Sequence, residues 1–241
     1  MQAVMISMES RQDTAYETAE RLLAGGVTTK IFFQPPDWEV GPPGNFRNSK
    51  RAVEWAVENV SGHGFLFVED DIIIKRDRFE RALSAADDLK ELMYLYMHDK
   101  GPRIDHYPGS DWRRALINYS TKSGSRKGDI SDLVIPEGPK LMDEDAQMFG
   151  SQAVYIPKGH ARFLLAFMSN DVSYSKTIRA RKSMAFDMVL NKWRFDSGIP
   201  VYCYVPHPVQ HLQNRTSRRG SRSDVYSLSF GLRSNLEVGD V

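Results

Sequence analysis

The sequence predicts an α/β fold: a mostly parallel central sheet with helices flanking it, in a single domain. Two observations carry that expectation. Over the first hundred residues, short β-branched and aromatic runs alternate with segments whose apolar residues recur at helical spacing. One of those runs, Phe65-Leu66-Phe67-Val68, ends in three consecutive carboxylates, Glu69-Asp70-Asp71. Open α/β sheets place ligands outside the carboxyl ends of their strands, so an acidic triplet there marks a ligand edge.

The elements follow in order. Residues 3–8 form a short apolar strand. Asp13 reads as the N-cap of a helix that turns Ala15, Ala19, Leu22 and Leu23 inward and stops at Gly25-Gly26. Residues 28–33 form a second strand, ended by Pro35-Pro36, and a Pro/Gly-rich loop over 37–44 follows. The next helix, about 46–60, has Val53, Ala56, Val57 and Val60 as its buried stripe. Gly62 and Gly64 break it before the strand that ends at Glu69. Asp77 to Glu80 has the form of a capping box, opening a helix with Phe79, Ala82, Leu83 and Ala86 inward. Residues 92–97 are a further strand.

From residue 98 to about 139 the periodicity is lost, and Gly, Ser, Lys and Pro dominate. A segment this long inside a compact domain is usually functional or disordered. Structure resumes with a strand over 153–156, helices over 158–168 and about 183–193, and a strand over 201–205. The expected organisation is one domain over 1–212, with 98–145 as an irregular, mobile insertion and 213–241 as a basic Arg/Ser-rich tail. There is no internal repeat and no Gly-rich phosphate loop of the P-loop or dinucleotide type.

Composition narrows the class. The net charge of +1 hides an asymmetry: residues 1–100 carry 12 Lys/Arg against 17 Asp/Glu, and residues 101–241 carry 20 against 14. An acidic edge facing a basic partner surface matches that division. A single cysteine, Cys203, excludes an intramolecular disulfide and suits a reducing compartment. With no signal-like start and no apolar run near the ~20 residues a bilayer demands, the sequence reads as a cytoplasmic protein.

The carboxylates carry the chemistry. Burying one ionised carboxylate costs several kcal/mol unless something compensates it. Three at the end of an apolar strand therefore call for a divalent cation held by oxygen ligands. The plainer alternative is a solvated turn between two strands.

Taken together, the features resemble a glycosyltransferase of the GT-A fold. Glu69-Asp70-Asp71 resembles the Asp-x-Asp-type metal motif, in the Glu-Asp-Asp form of family 25, the lipopolysaccharide and collagen galactosyl type. Arg47-Asn48, on the helix before it, resembles the Arg-Asn that many such enzymes place near the nucleotide. The stretch from Gly150 through Tyr155, Ile156 and Pro157 to Ala161 is similar to a Gly…Tyr…Ala stretch of that family. Asp187 with Leu190 resembles its later Asp-x-x-Leu, and Pro206 with Gln210 a closing Pro-x-x-x-Gln.

That resemblance implies a donor diphosphate, a UDP-sugar first among candidates, neutralised by Mn2+ or Mg2+ as a Lewis acid. Asp71 is expected to ligate the metal, with Glu69 supporting it and Asp70 meeting the donor ribose or the metal shell. Such enzymes often add a C-terminal His; His207 and His211 both qualify, and His211 is favoured because prolines flank His207. Arg11, just past the first strand, is placed to meet a nucleotide phosphate or base, and Arg47 and Asn48 lie near a helix N-terminus that favours anions. Surface and capping roles are the alternatives for all three. Asp187 is expected to face the acceptor and take its hydroxyl proton, against the plainer reading of an acid stabilising a helix dipole. Glu144 and Asp145 are weaker alternatives to it.

The acceptor is read from three acid-poor basic segments, 113–127, 176–182 and 215–222, with Trp112, Tyr119 and Tyr174 nearby. Cationic loops with aromatics suit DNA, where phosphates give affinity and an aromatic stacks an extruded base. Sugar transfer to a hydroxymethylated pyrimidine of phage-type DNA fits that pattern, and a protein or saccharide acceptor fits it equally. Two further classes stand beside these: a non-enzymatic nucleic-acid-binding domain, and a metal-dependent nuclease, for which a second set of acidic ligands is missing.

Overall fold

Strand β1 (Gln2–Met8) organises the sheet. Five consecutive residues in it are buried, as a strand covered on both faces requires. It pairs in parallel with β2 (Thr28–Gln34) along its whole length and with β3 (Gly64–Glu69) from Ala3↔Leu66 to Ile6↔Glu69. The computed structural model describes residues 1–38, 42–96, 134–142, 144, 150–169, 186–211 and 233–234, with backbone alone at 42–43, 134–135, 211 and 233–234.

The remaining strands of the main sheet are β5 (Leu92–Tyr94), β7 (Gly138–Leu141), β8 (Ala153–Pro157) and β9 (Val201–Val205). The order is β2-β1-β3-β8-β5-β9-β7. Five strands share one direction; β8, lodged between β3 and β5, and the edge strand β7 run against them. Two short ladders lie outside this sheet. One joins β4 (Ile72–Ile74) to β10 (Val209–His211) antiparallel, and the other joins β6 (Val134–Ile135) to β11 (Arg233–Ser234) in parallel.

Helices cover both faces, because successive side chains of a strand point to opposite sides. Leu66 and Val68 of β3 join Met5 and Tyr155 against α1 (Gln12–Ala24) and α3 (Arg76–Leu89). Phe65 and Phe67 join Val4, Ile6 and Ile156 against α2 (Pro42–Asn59), α4 (Lys158–Ser169) and α5 (Phe186–Ser197). The architecture is thus an α/β sandwich around a mixed, mostly parallel sheet, as expected.

Local details depart from expectation. Arg11, not Asp13, caps α1, and Asp13 sits in its first turn. Leu23, expected inward, is 61% exposed. The capping box before α3 does not form: Lys75 is the N-cap, Phe79 N–H donates to the Lys75 carbonyl at 2.8 Å, and Glu80 pairs with Arg76. Helix α2 starts four residues early, at Pro42, where a proline costs no intrahelical hydrogen bond. The stretch expected to be irregular contains β6 and β7, and residues 233–234 of the expected tail pair with β6. Pro139 in β7 argued against a strand, but an edge strand tolerates proline. The segments 113–127, 176–182 and 215–222, and Asp145, lie outside the described residues. Among the described residues, no helix is long and apolar enough to cross a membrane.

Candidate functional site

The β1–β3 register brings the two strands' carboxyl ends side by side. Ile6 faces Glu69, so the next residues, Ser7 and Asp70, meet: Ser7 Oγ donates to Asp70 Oδ2 at 2.6 Å. From α1, Thr18 Oγ donates to the Asp70 carbonyl at 2.7 Å. Asp70 and Asp71 are only 3% and 6% exposed.

Between β1 and α1 the chain makes a 3-10 turn over Glu9–Arg11. That turn returns Arg11 over the acids: its Nη2 lies 2.9 Å from Asp70 Oδ1 and 2.8 Å from Asp71 Oδ2. One guanidinium nitrogen bridges both carboxylates. Burial lowers the Arg11 pKa, but Asp71 and Asp70 outweigh it and raise the group above its ordinary value. Asp70 is pushed up to about 6, by burial first and then by Asp71, despite the opposing pull of Arg11 and Ser7. Arg11, expected to meet the nucleotide, is therefore engaged by the acids themselves.

Glu69 precedes Asp70 by one residue and so follows Phe67 toward the α4–α5 face. Its carboxylate accepts from Ser151 Oγ at 2.6 Å and Gln152 Nε2 at 3.5 Å. The antiparallel β3–β8 register, Val68↔Ala153, puts those residues there, and Glu69 N–H donates to the Gln152 carbonyl. One residue further back, Gly150 N–H donates to Asp187 Oδ2 at 3.1 Å. Asp187 occupies the first turn of α5, and its Oδ1 accepts from Met188 N–H at 2.8 Å. The Tyr94 hydroxyl, at the end of β5, is pushed up by burial and then by the charge of Asp187. The structure thus brings Arg11, Asp70 and Asp71 together on one side of this edge, and Glu69, Gly150 and Asp187 on the other.

The Arg47-Asn48 pair divides. Arg47 is exposed. Asn48 is buried in α2, where its Nδ2 donates to the Phe32 carbonyl at 2.7 Å and the Ser7 carbonyl at 3.4 Å. It straps β1 to β2 rather than capping the helix. Its Oδ1 accepts from Arg51, which also donates to the Phe33 carbonyl and lies 5.6 Å from the Trp38 ring. Ser7, Thr18, Arg51 and Trp38 went unnoticed in the sequence, and Ser151 stood out only as part of the Gly150–Ala161 stretch. A serine in an otherwise apolar strand was the only available signal, and its meaning depends on a partner 63 residues away.

The histidines also divide. His207 is fully buried; its Nδ1 donates to the Tyr204 carbonyl at 2.8 Å, and Cys203 Sγ lies 3.6 Å from the same nitrogen. Burial depresses it to about 4, with Arg78 adding to the effect against the Tyr204 bond. It is an enclosed core histidine. His211 pairs by backbone with Ile72, the residue after Asp71. Glu144, the weaker alternative to Asp187, is exposed, and its carbonyl accepts from Arg194.

No family model matches this chain, and no curated protein does. Among solved structures it is similar to a glycosyltransferase involved in the glycosylation of the major capsid of PBCV-1, at 11% identity and a TM-score of 0.39, over 75% of this chain and 74% of that one. It is also similar to a Drosophila β-1,4-galactosyltransferase 7 mutant in complex with manganese, UDP-Gal and xylobiose, at 10% identity and a TM-score of 0.43, over 93% of this chain and 76% of that one. At that distance the chain's own residues must carry any functional reading.

Those residues can be tested against a divalent cation. Among the described residues, no three Asp, Glu, His or Cys side chains converge into a cage. The Asp70–Asp71 pair nonetheless fits a cation whose shell is completed by substrate. Two buried carboxylates stand side by side, and a positively charged nitrogen already sits within 2.9 Å of an oxygen of each. Magnesium-like ions are commonly held by one or two carboxylates plus phosphate oxygens.

Proposed function

We propose that this chain is a metal-dependent glycosyltransferase that moves a sugar from a nucleotide-sugar donor, of the UDP type, to a hydroxyl acceptor. The single observation that carries the reading is the buried Asp70–Asp71 pair at the carboxyl edge between β1 and β3, with one nitrogen of Arg11 set between the two carboxylates. The motif order from Arg47-Asn48 to Gln210 supports it. In this reading Asp71 and Asp70 hold the divalent cation, Glu69 braces the edge through Ser151, and His211, beside Ile72, is the further ligand. Bound there, Mn2+ or Mg2+ would neutralise charge on the departing diphosphate.

The rest falls to side chains. Arg11 meets the diphosphate, and Arg47 lines the nucleotide side with Arg51 and Trp38, Arg51 being braced by the buried Asn48. Asp187, oriented by two backbone N–H groups, takes the proton from the acceptor hydroxyl as its oxygen bonds to the sugar carbon and the sugar–phosphate bond breaks. The acceptor class rests on the basic segments 113–127, 176–182 and 215–222, which suit a hydroxymethylated pyrimidine in DNA and a protein or saccharide hydroxyl equally. The test is hydrolysis or transfer of a nucleotide sugar with and without manganese. Asp71→Asn should abolish the manganese-dependent rate while the far-UV spectrum stays unchanged. Unchanged turnover in that variant would remove the metal from the mechanism. Binding to duplex DNA that weakens steeply with salt supports the DNA acceptor, and no binding at low salt excludes it.

A further inference from the structure

A single guanidinium nitrogen within 2.9 Å of both Asp70 and Asp71 stands where a cation bridging those carboxylates would have to stand. The two cannot share that position, so one must yield. Arg11 is built to yield. It sits at the junction of a three-residue 3-10 segment with the N-terminus of α1, and its side chain remains 24% exposed. Its Nε is buried with no hydrogen-bond partner among the described residues, so the ion pair leaves a donor unsatisfied. Guanidinium groups also bind phosphate oxygens in a forked, charge-assisted geometry, which gives Arg11 somewhere better to go once a diphosphate is present.

We infer that Arg11 is a built-in counter-ion: it holds the Asp70–Asp71 pair in the free protein, then moves to the donor's diphosphate and releases both carboxylates to the divalent cation. The inference rests on the function proposed above. It makes Arg11 a positioning residue with two successive partners, and it couples cation and nucleotide binding. A cation arriving alone must displace Arg11; one arriving with the nucleotide finds the carboxylates already vacated. By linkage the coupling is reciprocal.

The experiment measures manganese binding by the loss of its free paramagnetic resonance signal, on wild type, Arg11→Met and Arg11→Lys, with and without UDP. UDP binding in the absence of metal is measured by calorimetry. Arg11→Met is expected to bind manganese alone about tenfold more tightly than wild type, within the usual range of coupling between sites, while binding UDP alone more weakly. That opposite movement is the signature of exchange, since structural damage would weaken both ligands together. If the methionine variant does not fold, Arg11→Lys decides: the shorter lysine side chain ends short of the position that Nη2 holds between the acids and grips them less well, so manganese should still bind several-fold more tightly. Manganese affinity no better than wild type in the folded variants overturns the exchange and leaves the metal reading standing. No manganese binding by any form, with or without UDP, overturns both.

Discussion

Burial drives Asp70 and His207 in opposite directions, and the two effects meet in one pH window. Asp70 moves from 3.8 to about 6, and His207 from 6.5 to about 4. A carboxyl raised on folding holds its proton better folded than unfolded, so its contribution is lost as pH climbs from 3.8 to about 6. A histidine lowered on folding does the reverse: its contribution is lost as pH falls from 6.5 to about 4. The two contributions thus oppose each other between about pH 4 and 6. His207→Asn should therefore melt at a lower temperature at pH 6.5 than at pH 4.5, and Asp70→Asn should show the opposite slope. Thermal melts at three pH values check this, and parallel curves for the two variants would contradict it. Asp187 makes a kinetic prediction. Asp187→Ala should lower turnover by about 10²-fold or more, the usual worth of a general base, beyond any loss of donor affinity. A change confined to donor affinity would place the base elsewhere.

Two glycines, Gly64 at the start of β3 opposite the end of β8 and Gly150 just before β8, separate stability from chemistry at the scale of the element. At Gly64 a Cβ would lie 2.5 Å from the Tyr155 side chain and 2.8 Å from the Ile156 carbonyl, because β3 and β8 approach closely there. Gly64→Ala should cost about 1–3 kcal/mol by overpacking, leaving the rate per folded molecule unchanged. Gly150 has φ +96, and a Cβ there would meet the Tyr96 ring at 2.9 Å. Gly150→Ala should cost a similar amount and also lower turnover, because its N–H holds Asp187. Denaturant melts and initial rates on both variants separate the two outcomes; equal rate losses would remove Gly150 from the site. Elements with a long apolar period were legible in the sequence, including β1, β3, α3 and β9. Strand β7 was not, because Gly138 and Pro139 mimic a loop and only the edge of a sheet accommodates them. The capping box before α3 misled for a related reason: Asp77 suits a cap or a first turn equally, and the chain's path from β4 selected the second.

Across the whole molecule, Glu137 ties distant parts together. Its fully buried carboxylate accepts from Arg81 of α3 at 2.7 and 3.0 Å and from Tyr204 of β9 at 2.7 Å. Arg81 is itself about one-third exposed, which weakens the pair. Glu137→Ala should destabilise the fold by about 2–3 kcal/mol, below the loss expected of a wholly buried pair. A cost within 0.5 kcal/mol, the range usual for surface substitutions, would show the cluster to be incidental. From sequence alone came the strand-helix alternation and the position of three acids at a strand end, because both depend on spacings of two to four residues. The three-dimensional arrangement decided the rest. It reversed β8 between β3 and β5, split Glu69 from Asp70 across the sheet, strapped β1 to β2 through Asn48, and laid Arg11 across Asp70 and Asp71. Each of these joins residues from 16 to 93 positions apart. Many pairings of similar local energy compete at such separations, and only the burial of a common core selects among them.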